Sequence, residues 1–155
     1  MGEFASTVQT TLKQMLACEY PTRDWQTEYN SNGTPVDVAG LGENTVVLVE
    51  LEWRRADPAN NTAKLFRHLD EGSINHQRVS VFQLFTRYYD LARGGHSSKR
   101  ENAEFVGYTS TRAFDRVSYS PIDLDIDPPK RGGDWPTDWK DMVSLSVERL
   151  THHKE

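Results

Sequence analysis

TVVLVELEWRR (45–55) decides how the rest of the chain is read. Its first half, TVVLV (45–49), is the best buried-strand sequence in the chain, short, apolar and rich in β-branched residues. Its second half sets Glu50 and Glu52 between Val49, Leu51 and Trp53, and ends on Arg54 and Arg55. Side chains two apart in a strand share a face, roughly 6.5–7 Å from one another. Glu50 and Glu52 therefore point one way, and Val47, Val49, Leu51 and Trp53 the other. Carboxylates converging at the end of a buried strand repel each other and lose hydration unless a cation joins them.

Upstream of this strand, Val8, Leu12, Met15 and Leu16 recur at i, i+4, i+7 and i+8, which predicts a helix from about Ser6 to Cys18. Ser6 or Thr7 caps its start, and Pro21 ends it by Tyr20. Two short extended runs follow, Asp24–Tyr29 and Pro35–Ala39, parted by NSNGT (30–34), whose Asn32-Gly33 is a hairpin signal. GLGEN (40–44) turns the chain into the 45–53 strand, so a helix and a three-stranded antiparallel meander are predicted.

Downstream, Asp57 as N-cap and Pro58 in the first turn open a second helix, with Ala63, Phe66 and Leu69 on its apolar face and an end near Asp70-Glu71-Gly72. Val79–Thr86 reads as another buried strand and Tyr88–Ala92 as a short helix or the continuation of that strand. RGGHSSKREN (93–102) reads as a polar loop, Val117–Ser120 as a further strand, and 121–136 as irregular. Trp139–Leu150 reads as a closing helix, although Val143, Leu145 and Val147 also alternate like a strand.

Length and composition set bounds on function. The 155 residues carry no linker, repeat or low-complexity segment, so one domain over 1–155 is expected. Cys18 is the only cysteine, which excludes an internal disulfide and a cysteine-rich zinc site and suits a reducing, cytoplasmic setting. No apolar run approaches the ~20 residues of a membrane span, and no signal pattern opens the chain. The net charge of −5 does not mark a general nucleic-acid binder, but the basic residues are unevenly placed. Trp25, Trp53, Trp135 and Trp139 read as core or half-buried aromatics.

Asp37, on the strand preceding 45–53, is placed to come alongside Glu50. Oxygen-only donors favour a hard cation, and an open cage with room for water and phosphate is how Mg²⁺ is usually held. The constellation points to metal-assisted phosphodiester chemistry. Asp37…Glu50-Leu51-Glu52 on successive strands, with a helix on either side, resembles the PD-(D/E)xK nuclease superfamily, the restriction-endonuclease-like fold. DVAG…VVLVELEWRRADPANNTAKLFRHL (37–69) is similar to type II restriction enzymes with a Glu-x-Glu variant of the motif.

The resemblance implies an α/β (α+β) fold with a mixed central sheet flanked by helices. It implies that Asp37 and Glu50, with the Leu51 carbonyl, bind Mg²⁺ (or Mn²⁺), and that Glu19 is the helical acid directed toward the metal. Glu52 stands where most members have lysine, so it either binds a second metal or accepts the proton of water. Lys64 supplies the missing positive charge. Arg54, Arg55, Lys64, Arg67 and His68 form a basic face for DNA, with Arg93, His96, Lys99 and Arg100 on the polar loop as further contacts. The expected activity is Mg²⁺-dependent hydrolysis of DNA by an endonuclease of restriction, repair or defence type, acting as a homodimer. Two other classes compete: a nuclease-like fold that binds DNA or protein without cleaving, and a small glycosidase using Glu50 and Glu52 as a carboxylate pair.

Overall fold

The computed structural model describes residues 2–31, 34–72 and 77–154. The predicted hairpin residues Asn32 and Gly33 lie outside them. Helix α1 (Glu3–Glu19) is followed by strands β1 (Asp24–Ser31), β2 (Thr34–Leu41) and β3 (Thr45–Glu52). Then come α2 (Pro58–Asp70), β4 (Arg78–Phe85), a single 3₁₀ turn at Arg87–Tyr89, α3 (Ser98–Thr111), β5 (Val117–Asp123) and α4 (Trp139–Lys154). The strands form one mixed sheet in the order β1-β2-β3-β4-β5. β1, β2 and β3 pair antiparallel, as the meander predicts, whereas β4 and β5 join parallel to β3. Parallel neighbours need a long crossover, and α2 and α3 provide the two.

Helices cover both faces of the sheet. Val8, Leu12 and Leu16 of α1 and Val143, Val147 and Leu150 of α4 pack on Val47, Val49, Leu51, Phe82 and Leu84. Leu65, Phe66 and Leu69 of α2 pack on Val46, Leu48, Val79 and Val81 from the other side. The alternation of β3 is therefore kept, but both of its faces are buried, as a central strand with parallel partners requires.

Several sequence readings change in detail. Helix α1 begins three residues before Ser6, with Gly2 at its N-cap, because Phe4 and Ala5 extend the buried stripe. On α2, Ala63 is exposed and Thr62 and Leu65 take the buried positions. The loop predicted over 93–102 stops at Ser97, where α3 begins. Arg100, expected to reach DNA, is buried on that helix between Asp123 (2.6 Å) and Glu104 (3.5 Å), over the ring of Phe85. A charge this buried must be paired, so Arg100 holds α3 to β5. No helix among the described residues is long and apolar enough to cross a membrane.

Candidate active site

β2 and β3 pair as far as Val38↔Val49, and one step further Asp37 stands opposite Glu50. There the ladder opens: the Leu51 N–H donates to Asp37 Oδ2 at 2.6 Å. Leu51, expected to offer a carbonyl, thus contributes its N–H as well as its place in the strand. The carboxyl groups of Asp37 and Glu50 lie close enough for each to perturb the ionisation of the other. Both are buried, at 7% and 4% exposure. Burial raises the pKa of Asp37, with the Leu51 N–H pulling the other way. Burial raises Glu50 well above the usual carboxylate range, and the charges of Asp37 and Glu52 add to it.

Glu52 is fully buried and is held by neutral amides rather than cations. Asn61 Nδ2 donates to Glu52 Oε1 at 2.6 Å and reaches Glu50 Oε2 at 3.4 Å. Gln83 Nε2 donates to the same Glu52 oxygen at 2.9 Å and to Thr62 Oγ1 at 2.9 Å. Gln83 Oε1 accepts from the Tyr119 hydroxyl at 2.6 Å, and Thr62 donates to the Pro58 carbonyl. A chain of bonds therefore runs from β5 through β4 and α2 to the second glutamate. Glu52 Oε2 accepts no hydrogen bond, and Arg55 Nε stands 3.6 Å away, near enough for attraction. Burial raises the Glu52 pKa, against the pull of Gln83, Asn61 and Arg55.

The elements around the site are fixed by local chemistry. Asp57 Oδ1 accepts from the Asn60 N–H at 3.1 Å, and this cap with Pro58 behind it sets the phase of α2. Asn61, Lys64 and Leu65, at i, i+3 and i+4, consequently overhang the carboxylates. The exit of β3 is tied to that of β4: Thr86 Oγ1 donates to the Trp53 carbonyl, and the Tyr89 hydroxyl to the Arg55 carbonyl. Arg55 thereby stays at the mouth.

A cleft of about 260 Å³ results, lined by Glu28, Asp37, Glu50, Arg55, Asn61 and Lys64. Of the expected site residues, Asp37, Glu50, Arg55 and Lys64 meet here, with Glu52 beneath. Glu19 does not line it; it lies at the far end of α1, on a groove against α4. The helix runs the other way from the direction that role needs, so the α1 residue near the site is Gln9, buried and donating to Glu28 at 2.9 Å. Arg54 turns away, over the ring of Tyr88, and His68 lies 3.9 Å from Glu71. Arg67 is exposed on α2 and, like His68, does not line the cleft.

Glu28 is the residue that sequence reasoning missed. Its φ of 50° is left-handed, which costs a non-glycine residue energy, and its neighbours Thr27 and Tyr29 pair normally with Val38 and Val36. It therefore stands across from Asp37, close enough for its charge to raise the Asp37 pKa. Counting back from Asn32-Gly33 through a two-residue hairpin loop would have placed it there.

The donor set suits a hard divalent cation. Asp37 and Glu50 offer oxygens only, already desolvated and side by side, and a bound cation would relieve the repulsion between them. Among the described residues no group of three or more His, Cys, Asp or Glu side chains is placed to hold a metal ion, so a cation here would rest on Asp37 and Glu50 alone. Such a cation would therefore keep open positions for water or substrate oxygens, the usual state of Mg²⁺. A glycosidase pair would need Glu50 and Glu52 to face one sugar, whereas Glu50 faces Asp37 and Glu52 is sealed beneath Asn61 and Gln83. No protein-family profile matches the chain, and no curated protein matches it.

Proposed function

We propose that the protein is a Mg²⁺-dependent endonuclease that hydrolyses DNA phosphodiester bonds on a restriction-endonuclease-like core. The observation that carries this reading is the buried pairing of Asp37 with Glu50 in one cleft at the opened end of the β2–β3 ladder, beneath two cationic side chains. Asp37 and Glu50, with the Leu51 carbonyl, would hold Mg²⁺ or Mn²⁺. When bound, the ion supplies Lewis-acid polarisation of a phosphoryl oxygen and eases ionisation of water. Lys64 and Arg55 neutralise the phosphate as charge builds on it. Glu52 lies beneath the cleft, where its Oε2 stands 3.6 Å from Arg55 Nε and steadies that guanidinium at the mouth, while Asn61 and Gln83 keep the carboxylate from turning. The described residues form one such site, so cutting both strands requires a homodimer or two successive events.

The test is incubation of plasmid DNA with the protein and Mg²⁺, Mn²⁺ or EDTA, beside Glu50→Ala. Metal-dependent cleavage that Glu50→Ala abolishes supports the reading. Salt-sensitive DNA retention without cleavage under either metal overturns it in favour of a binding module.

A further inference from the structure

A second, larger cleft of about 1010 Å³ opens on the other face of the sheet at the same end of β3. Its walls are the start of α1, Trp53 and Arg54 leaving β3, and the segment from Pro129 to Trp135. Trp135 lies on Phe4 with centroids 4.4 Å apart and planes 11° from parallel, and Trp53 meets the same Phe4 edge-on at 5.1 Å. Burial does not account for Trp135, which stays 37% exposed. Arg54, Lys130 and Arg131 line the cleft with one carboxylate, Glu3, and the exposed Asp134 lies in the same wall segment without lining it. That is a local excess of positive charge in a chain whose net charge is −5.

Arg54 is shared between this cleft and an exposed basic-aromatic group. Its guanidinium lies 5.4 Å from the ring centre of Tyr88, which Lys99 also approaches at 5.6 Å, and its Nη1 reaches the Pro129 carbonyl at 3.5 Å. Arg54 and Arg55 are consecutive, and one faces each cleft. A polymer passing the carboxylates and leaving over Arg55 would meet Arg54 next, then the aromatic floor. Alternating cations and exposed ring faces are what unpaired nucleotides bind: phosphates take the cations, and bases stack on the rings without regard to sequence.

We propose that this cleft holds unpaired nucleotides of the substrate strand beside the scissile phosphate, and that the enzyme acts on DNA with a single-stranded flank. The inference rests on the nuclease reading for the position of the cut. Bases stack against Trp135, and the backbone runs along Arg54, Lys130 and Arg131.

The experiment is fluorescence-anisotropy titration, in EDTA, of a labelled twelve-nucleotide oligo-dT and of a blunt duplex of equal length. Wild type, Trp135→Leu and the double variant Lys130→Ala/Arg131→Ala are compared, with circular dichroism as the check on folding. The single strand should bind more tightly than the duplex and quench tryptophan emission. Trp135→Leu should lose about tenfold in affinity for the single strand, the scale of one stacked base. The double variant should weaken it too and flatten the salt dependence by about 1.4 in the log–log slope. If Trp135→Leu does not fold, the double variant alone decides.

Unchanged single-strand affinity in the folded variants overturns the proposal. So does a concentration-dependent dimer that Trp135→Leu dissociates, because a second copy would then be the occupant. Binding without metal is independent of cleavage, so the two readings fail separately. Plasmid cleavage with unaltered oligonucleotide binding removes only the cleft proposal. Strand binding that the variants impair, with no cleavage under any metal, removes only the nuclease.

Discussion

Glu50 is destabilising as long as it must ionise without a cation. Its pKa is raised by burial and by Asp37 and Glu52, so the folded state resists an ionisation that the unfolded chain undergoes freely. Below the ordinary carboxylate range it is protonated in both states and the fold keeps its full stability. Stability is then lost as pH rises toward the raised pKa. Glu50→Gln should therefore melt several degrees above wild type at pH 8 in EDTA and differ little at pH 4. Added Mg²⁺ should raise the wild-type midpoint at pH 8 and leave the variant nearly unmoved. Equal melting curves at both pH values, with or without metal, would sink this account. The pairing of Asp37 with Glu50 was legible because strand period and turn spacing fix it. Gln9 was not, since one polar residue in an apolar helical stripe gives no hint of which strand it meets. Glu28 was within reach of the same counting, since the register holds on both sides of it, and only its left-handed backbone was hidden.

Among the elements, α2 carries the site through its phase, and that phase depends on Asp57. Asp57→Ala should cost about 1 kcal/mol in urea unfolding and should lower cleavage by more than the lost folded fraction, since Asn61 and Lys64 shift with the first turn. Full activity at reduced stability would show that the cap only stabilises. A longer reach is expected of Gly107 on α3, whose missing side chain leaves room for the ring of Tyr119. Gly107→Ala drives a methyl into that ring and should displace the hydroxyl from Gln83, lowering turnover although no atom of α3 lines the cleft. Helix α3 itself was hidden from sequence reading. Its buried positions are Arg100, Ala103 and Gly107, while Phe105 is 69% exposed, so it shows no apolar stripe. β3 and β4, apolar throughout, were plain.

Across the whole molecule, the sheet sets one acidic floor under a basic rim in a chain of net negative charge. Binding to duplex DNA should accordingly be steeply salt-dependent and local. Arg55→Ala and Lys64→Ala should each weaken retention on any sequence and reduce the log–log salt slope by about 0.9, as measured by titration at several salt concentrations. Arg67→Ala, away from the cleft, should leave the slope as it was; an equal loss would place the DNA along α2 instead. The order and parallel pairing of β4 and β5 could not be read from the chain, because nothing local tells a strand which neighbour a crossover will deliver. The meander could, since short turns leave few other choices.

The amides around Glu52 also constrain how this protein can change. Gln83 uses both of its hydrogens on Glu52 and Thr62, and its oxygen on Tyr119. Putting a lysine at position 52 would aim an ammonium at N–H donors. Turning Gln83 to accept from it would take away the acceptor that the Tyr119 hydroxyl now uses. Turning Asn61 would withdraw a donor from Glu50. Each single step toward that lysine thus passes through a poorer protein, and only coordinated replacement avoids the valley. Residue 52 can therefore change only together with positions 61 and 83.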